Sequence, residues 1–241
     1  FSDKPPIRLK ADASAVLSLP DHELNEYEAK KALGQAGFPV VAEKLATTPE
    51  GAAAAAEDIG YPVALKIASP DIQHKSEIGG VVLGLNNAYQ VEPAFDDIME
   101  RARKAEPDAK LDGVIVARMA KKGVEAILGT SQDPVFGPVV MFGLGGIFVE
   151  VMKDVTFRVA PFDLAEANKM ITEIKGAAIL DGARGQPPAD KDALAKALVK
   201  LSEIAAANAD TIESIDLNPF IVHKKGQGAT AVDALIVPRK A

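Results

Sequence analysis

The sequence contains no cysteine, which excludes disulfides and a thiol nucleophile. This absence fits a reducing compartment, and we expect a cytoplasmic protein. The sequence also lacks a dense basic patch, and its formal net charge is −7, so we do not expect nucleic acid as a partner. Long apolar runs are missing too. The longest, near residues 139–152, contains Glu150 and three glycines, and a bilayer requires about 20 apolar residues. We therefore expect no membrane partner.

No signal peptide is visible, and the first residue is Phe1 rather than Met. We therefore expect either a trimmed chain or part of a longer one. With 241 residues, of which 48% are apolar, the chain can bury a sizeable core as one large domain or two small ones.

Helix and strand signals alternate along the chain. Helices are predicted at residues 22–35, 47–60, 90–105, 163–171 and 190–209. In the second helix, Thr48 is a natural N-cap, Pro49 suits the first position and Gly60 suits the stop. Strands are predicted in YPVALKIAS, GGVVLGL, GVIVARM, GVEAILGT, GPVVMFG, SIDLNPFIV and TAVDALIV. The third to fifth strands predict an antiparallel meander, and the whole order predicts an α+β (α/β) fold of two lobes with mostly antiparallel sheets flanked by helices.

The last two strands are predicted to form a hairpin whose turn centres near residues 225–226. Residues facing each other then have numbers that sum to about 451, which pairs Asn218 with Asp233. An amide oxygen beside a carboxylate suits Mg²⁺, and Asp216 is a reserve ligand on the same face. The alternative is a buried Asp–Asn hydrogen bond that fixes the strand register.

Lys66 lies within the predicted strand VALKIAS, and Arg158 lies in the segment DVTFRVAP. A buried ammonium group needs an anion, and for Lys66 this is either a bound phosphate or a nearby carboxylate. Arg158 raises the same question. Both residues are candidates to stabilise a phosphoryl group during transfer, where catalysis is mainly positioning and charge neutralisation.

Other candidates are weaker when each is taken alone. His74 lies in a loop, either simply exposed or as a nucleophile, since an imidazole nitrogen can accept a phosphoryl group. Glu125 is either a metal or water ligand or an edge residue of the meander. Gly145 and Gly146, in FGLGGIFVE, allow a backbone to approach a phosphate, although a tight turn explains them equally well.

Three segments together resemble the ATP-grasp domain of ADP-forming (NDP-forming) acyl-CoA synthetases. They are SPDIQHKSEIGGVVLGL, FGPVVMFGLGGIFVEVMKDVTFRVAP and SIDLNPFIV. The resemblance is to the β subunit of the acetate–CoA ligase type, or to the C-terminal part of fused versions. A more distant resemblance is to the β subunit of succinyl-CoA synthetase. The resemblance to this family extends over nearly the whole chain.

The resemblance implies an ATP-grasp fold that holds ATP or ADP with Mg²⁺. It implies an N-terminal arm and helix at 1–36, a lid lobe at 37–115 and a core lobe at 116–241, with the nucleotide between the lobes. Lys66 would contact the phosphates, and Asn218 with Asp233 would hold Mg²⁺. Val116, Ala117 and Arg118 would form the hinge that meets the adenine. The remaining implied nucleotide contacts are Gly79, Gly80, Gly145 and Gly146.

The implied reaction is acyl-CoA + ADP + phosphate ⇌ carboxylate + CoA + ATP. His74 matches the β-subunit histidine that relays the phosphoryl group, with Arg158 and Glu125 as further catalytic candidates. The first histidine of the relay belongs to a CoA-binding α portion. That portion is the expected partner, as a subunit of a hetero-oligomer or in a fused chain, and acyl-CoA formation should need it. The alternatives are another ATP-grasp carboxylate ligase and a non-catalytic ATP-sensing regulatory domain.

Overall fold

The computed structural model describes residues 13–72, 74–146, 153–182 and 185–239. The described residues divide into two compact units. The small unit comprises 20–31 and 40–121, and the large unit comprises 13–19, 32–39 and 122–239. No helix in the described part of the chain has the length and apolar character needed to cross a membrane.

The small unit is built on a four-stranded antiparallel sheet with strand order β1-β4-β2-β3. Its strands are β1 (Glu43–Ala46), β2 (Val63–Ala68), β3 (Val81–Leu85) and β4 (Gly113–Arg118). Helices α2 (Pro49–Ile59) and α3 (Ala88–Ala105) share an apolar core with one sheet face, which includes Leu65, Ile67 and Ile98. These residues recur at strand and helix spacing, so burial on one face follows from the pattern.

Helix α1 (Glu26–Gln35) begins four residues later than predicted. Asn25 and Glu28 explain the start, because each side chain accepts a hydrogen bond from the other's backbone N–H at 3.0 and 3.1 Å. This reciprocal arrangement is a capping box. The predicted caps of α2 are confirmed: the Thr48 side chain accepts from the backbone N–H of Gly51, and Gly60 ends the helix.

Strand β4 corrects the predicted meander, because it does not pair with β5 in sequence. It lies inside the small sheet, where it pairs with β1 on one side and β2 on the other. The predicted domain limit between residues 115 and 116 therefore falls within β4, and the compact units place their division after Lys121. The boundary between the two units also falls within helix α1, after Lys31.

The large unit contains a six-stranded antiparallel sheet with order β10-β8-β5-β6-β7, and β9 also pairs with β8. Its strands are β5 (Gly123–Asp133), β6 (Gly137–Leu144), β7 (Val155–Val159), β8 (Ile212–His223), β9 (Ala229–Ala231) and β10 (Leu235–Pro238). Helices α4 (Leu164–Glu173) and α5 (Lys191–Ala207) pack on this sheet, with short 3₁₀ turns at Ala13–Ala15 and Lys175–Asp181. The predicted β5–β6 pairing is confirmed, and β6 also pairs with β7.

Candidate functional site

The predicted site residues fall in both compact units. Lys66, His74, Gly79, Gly80 and the stretch Val116–Arg118 belong to the small unit. The large unit holds the others, which are Glu125, Gly145, Gly146, Arg158, Asn218 and Asp233.

The final hairpin has the predicted register on both sides of the candidate metal ligands. Phe220 pairs with Ala231 in the β8–β9 segment, and Asp216 pairs with Leu235 in the β8–β10 segment. Between these two segments, the backbone N–H of Val232 donates to the carbonyl of Pro219 at 3.0 Å. Because the register is the same on both sides, Asn218 falls opposite Asp233 at the gap between β9 and β10, where the second predicted strand divides in two. The ladder between β8 and β5 shifts its register at this same segment.

Asp216 and Asp233 are close enough for their charges to interact. Partial removal from water, and then the Asp233 carboxylate, raise the pKa of Asp216. Asp216 keeps an exposed surface, Asn218 is exposed and Asp233 is half-buried. Two carboxylates that repel each other beside an amide oxygen form a set of hard donors that a divalent cation would neutralise. These oxygens fit Mg²⁺, although the described residues include no group of three or more His, Cys, Asp or Glu placed to hold a metal.

Glu125 lies on the same face of the large sheet as Asp216. Residues 125, 127 and 129 alternate onto one face of β5, and Gly129 pairs with Asp216 across the β5–β8 ladder. Glu125 is exposed, and its backbone carbonyl accepts a hydrogen bond from the N–H of Gly145 at 2.8 Å. The sheet thus brings Glu125 and Gly145 together on the side that carries the acidic pair.

The glycine-rich segment is partly described. A Cβ on Gly145 would approach the Glu125 Cβ to 3.1 Å, so a side chain there would crowd β5. Gly146 is exposed with φ of +65°, a conformation that glycine adopts readily. The remainder of FGLGGIFVE, residues 147–150, lies outside the described residues.

Arg158 lies on the opposite face of this sheet. It pairs with Val140, which pairs with Thr130, which pairs with Ile215, and this face carries the buried side chains. The guanidinium donates to Glu166 Oε1 at 2.5 Å and to both Glu173 oxygens at 2.6 and 2.7 Å. The structure therefore places Arg158 in an ion-pair network with α4, on the face away from Asp216.

Lys66 lies in the middle of β2, on the sheet face opposite α2 and α3. Its side chain is 8% exposed, and its Nζ lies 2.6 Å from Oε1 of Glu26, a residue in the first turn of α1. Of the two anions that the sequence left open, this structure supplies the carboxylate. A buried ammonium group is then neutralised by a buried carboxylate, as burial of a charge requires.

The Lys66–Glu26 contact belongs to a larger buried charge cluster within the small unit. Lys30 Nζ lies 2.7 Å from Glu26 Oε1 and also contacts Glu43, and Lys75 Nζ lies 3.0 Å from Glu26 Oε2. Burial alone would raise the pKa of Glu26, but the charges of Lys66, Lys30 and Lys75 hold it well below its usual range. Burial raises the pKa of Glu43 to about 7, because the effect of removing its charge from water exceeds the opposing effect of Lys30.

His74 lies in the loop between β2 and β3. Its side chain is 80% exposed, and its Nδ1 lies 3.9 Å from Glu77. The loop closes on itself, because the N–H of Gly80 donates to the carbonyl of Lys75 and the N–H of Ile67 donates to the carbonyl of Gly80, both at 2.8 Å. A Cβ on Gly80 would meet Ile67 Cγ2 at 2.8 Å, so glycine is needed for this close approach.

Gly79 has φ of +68° and forms the last turn before Gly80. The predicted adenine contacts lie at the end of β4, where Val116 and Ala117 are buried and Arg118 is exposed. The Arg118 backbone N–H donates to the carbonyl of Ala42 at 2.9 Å. The adenine role of this stretch stays a prediction.

Sequence reasoning missed four members of the charge cluster: Glu26, Lys30, Glu43 and Lys75. One signal was present, since Glu26 and Lys30 have the i, i+4 spacing of a helical ion pair. That spacing usually marks an exposed pair, and the burial here depends on strands far away in the sequence.

Residues 15–237 match a family model described as an ATP-grasp domain. This match covers most of the chain, so the chain belongs to the ATP-grasp domain family, and the predicted fold is confirmed. The chain is 50% identical over 212 residues to the β subunit of acetate–CoA ligase [ADP-forming] II from Pyrococcus furiosus, covering 88% of this chain and 90% of the relative. The predicted resemblance is confirmed.

Longer relatives contain the same region. The chain is 42% identical to 4-hydroxybutyrate–CoA ligase [ADP-forming] from Nitrosopumilus maritimus, covering 88% of this chain and 30% of the relative. A solved structure of the Ca. Korarchaeum cryptofilum dinucleotide-forming acetyl-coenzyme A synthetase 1, with coenzyme A and Ca-AMPCP, has 43% identity and a TM-score of 0.86 over 90% of this chain and 93% of that chain. Another structure of that enzyme holds Mg-AMPPCP, with a phosphohistidine segment pointing towards the nucleotide-binding site.

Proposed function

We propose that this chain is the nucleotide-binding part of an ADP-forming acyl-CoA synthetase. It transfers a phosphoryl group between ATP or ADP and His74 during acyl-CoA + ADP + phosphate ⇌ carboxylate + CoA + ATP. The observation that carries the proposal is the exposed imidazole of His74, on the loop that directly follows the lysine-bearing strand β2. The likeness to β subunits of ADP-forming acetate–CoA ligases supports it.

The proposed chemical step at His74 is a direct phosphoryl transfer. An imidazole nitrogen attacks the terminal phosphorus of ATP, a P–N bond forms, and the P–O bond to ADP breaks. The reverse step returns the phosphoryl group to ADP. Because the His74 side chain is largely exposed, a nucleotide phosphate can reach it without displacing core residues.

Lys66 is the proposed phosphate contact. Its ammonium group would neutralise charge on the transferring phosphoryl group, where electrostatic stabilisation supplies most of the catalysis. In this structure Glu26 takes that anionic position. Phosphate contact therefore requires Lys66 to share or exchange its carboxylate partner.

Asp216, Asn218 and Asp233 are the proposed Mg²⁺ ligands. Their oxygens suit a hard cation. Partial burial and then repulsion from Asp233 raise the pKa of Asp216, and a bound cation would relieve that repulsion. When bound, Mg²⁺ would neutralise negative charge on the nucleotide phosphates. Glu125, on the same sheet face, is a proposed further ligand through water.

The proposed partner is a CoA-binding α portion. Relatives of nearly the same length are named β subunits, and this chain covers 30% of longer ligases. Both facts support a reaction that needs a second polypeptide or a further segment to bind CoA. The acyl substrate would be selected there.

Calorimetric titration tests the nucleotide and metal site. Mg·ATP should bind the wild-type chain, and binding should weaken at least about tenfold when the metal is chelated or when Asp233→Asn removes a ligand. Glu213→Gln is a matched control, because Glu213 is an exposed carboxylate of β8, the strand of Asp216 and Asn218, and it pairs with Arg239. No binding at millimolar Mg·ATP, or equal weakening in both variants, would sink the proposal.

A further inference from the structure

The loop that carries His74 is fixed on both sides of the histidine. Before it, Ile72 is buried, and the Asp71 carboxylate accepts a hydrogen bond from the backbone N–H of Lys110 at 2.6 Å. After it, Lys75 turns inward and reaches Glu26 at 3.0 Å. The exposed histidine therefore lies between two anchors that differ in kind, one apolar and one ionic.

The ionic anchor is the closer of the two along the chain. His74 and Lys75 are adjacent, yet their side chains are 80% and 12% exposed. Neighbouring side chains diverge in this way only if the backbone between them has one defined orientation. Fixing the Lys75 ammonium group therefore sets the direction in which His74 projects.

Both oxygens of the Glu26 carboxylate are used, and they face different elements. Oε1 contacts Lys66 of β2 and Lys30 of α1, whereas Oε2 contacts Lys75 of the loop. Glu26 is 1% exposed, so water screens these contacts little. One buried carboxylate thus joins the lysine proposed to contact phosphate to the loop that carries the proposed phosphoryl acceptor.

We propose that Glu26 is a positioning residue that acts through Lys75 to orient His74 and through Lys66 to hold the phosphate-contacting cation. The inference rests on the proposed function, because it assigns Glu26 to the same phosphoryl transfer. Loss of the Lys75 anchor should misplace the histidine and slow transfer while leaving nucleotide binding intact. Replacing Glu26 itself should affect both phosphoryl transfer and nucleotide binding.

The first arm of the test measures hydrogen exchange without nucleotide. The amide of Gly80, which donates to the Lys75 carbonyl, should exchange about tenfold faster in Lys75→Met. Lys75→Arg should restore most of the protection. Glu43→Gln is the matched control, because Glu43 is a buried carboxylate of the same cluster that contacts Lys30, and it should leave Gly80 unchanged.

The second arm measures phosphorylation of His74 by Mg·ATP together with the Kd for Mg·ATP. Lys75→Met should slow phosphorylation about tenfold or more with an unchanged Kd, since misplacement costs rate and not binding. Glu26→Gln should change both, and Lys75→Met decides the matter if Glu26→Gln fails to fold. Unchanged exchange and rate in Lys75→Met, or equal effects of Glu43→Gln, would overturn the inference.

A wild-type chain that binds no Mg·ATP and is never phosphorylated refutes the proposed function, and Gly80 exchange still decides whether Lys75 anchors the loop.

Discussion

Lys66 and Arg158 are both cations within strands, yet their partners give them different roles. Lys66 contacts the buried carboxylate of Glu26, which two other lysines also contact. Arg158 contacts two carboxylates of α4 and donates to both oxygens of one of them, Glu173. A shared partner leaves a cation able to accept another anion, whereas a bidentate arginine pair is already satisfied.

Arg158→Ala is therefore expected to lower stability and to leave the nucleotide site intact. The variant should lose about 1 kcal/mol of unfolding free energy, because its partners remain partly exposed to water. Denaturant unfolding measures the loss, and titration with Mg·ATP should give the wild-type Kd. Arg239→Ala, which removes an exposed ion pair with Glu213, is the control. Weaker Mg·ATP binding by Arg158→Ala alone would return Arg158 to the catalytic site.

Glu43 should make the free energy of unfolding depend on pH between its pKa in the unfolded chain and its pKa in the folded chain. Burial raises its pKa from 4.5 to about 7 in the folded chain, so over this range the folded state binds more protons than the unfolded state. Stability then falls as pH rises through the window, by roughly 3 kcal/mol in all. The lowered pKa of Glu26 acts at more acidic pH, where its stabilising contribution is lost as pH falls.

The measurement is the unfolding free energy of wild type and Glu43→Gln at several pH values. The difference between the two should grow in favour of Glu43→Gln as pH rises toward 7 and then level off. Glu57→Gln changes an exposed glutamate of α2 and should keep the wild-type slope. A pH-independent difference for Glu43→Gln would show that Glu43 is ionised throughout the range.

At the scale of elements, Asn208 fastens the first described segment to the end of α5. Its side chain accepts from the backbone N–H of Leu17 and donates to the carbonyls of Ala15 and Ile204 at 2.7–2.9 Å. Asn208→Ala should leave buried backbone groups without partners and cost about 2 kcal/mol. Limited proteolysis should then cut residues 13–19 sooner.

Asn168→Ala is the control for this prediction. Asn168 is an exposed helical residue whose side chain donates to the Leu164 carbonyl, so its loss should leave proteolysis of the segment unchanged. Wild-type cleavage rates in Asn208→Ala would contradict the fastening role.

Elements with local signals could be predicted from the sequence. The caps at Thr48 and Gly60 and the hairpin register around Asp233 depend on residues close in sequence. The position of β4 was missed because its partners β1 and β2 are distant in sequence. The apolar pattern of a strand does not indicate which sheet the strand joins. Tertiary pairing decided that position.

In the candidate site, too, some residues could be predicted from the sequence and others could not. Lys66, His74 and the Asn218–Asp233 pair were identified from composition, register and resemblance. Glu26 was not, because it contacts Lys66 across 40 positions of sequence. A buried partner of this kind becomes visible only when α1 lies against the small sheet.

At the scale of the whole molecule, the residues proposed for the site belong to one half-reaction. Phosphoryl acceptor, phosphate contact and metal ligands are all proposed within this chain, whereas CoA binding is assigned to a partner. A half-reaction through a covalent intermediate can run without the second substrate, which is the basis of ping-pong kinetics.

The chain alone should therefore convert ADP that is labelled in its adenosine part into labelled ATP, in the presence of unlabelled ATP and Mg²⁺, and it should form no acyl-CoA from acetate, CoA and Mg·ATP. ATP phosphorylates His74, ADP takes the phosphoryl group back, and the label moves between the two nucleotides. His74→Ala should abolish exchange while Mg·ATP binding survives. His22→Ala removes another partly exposed histidine of the small unit and should exchange like wild type. Exchange that persists in His74→Ala would remove the histidine from the mechanism. Wild-type binding without exchange would instead favour an ATP-sensing domain, because a sensor needs the nucleotide site but no phosphoryl acceptor.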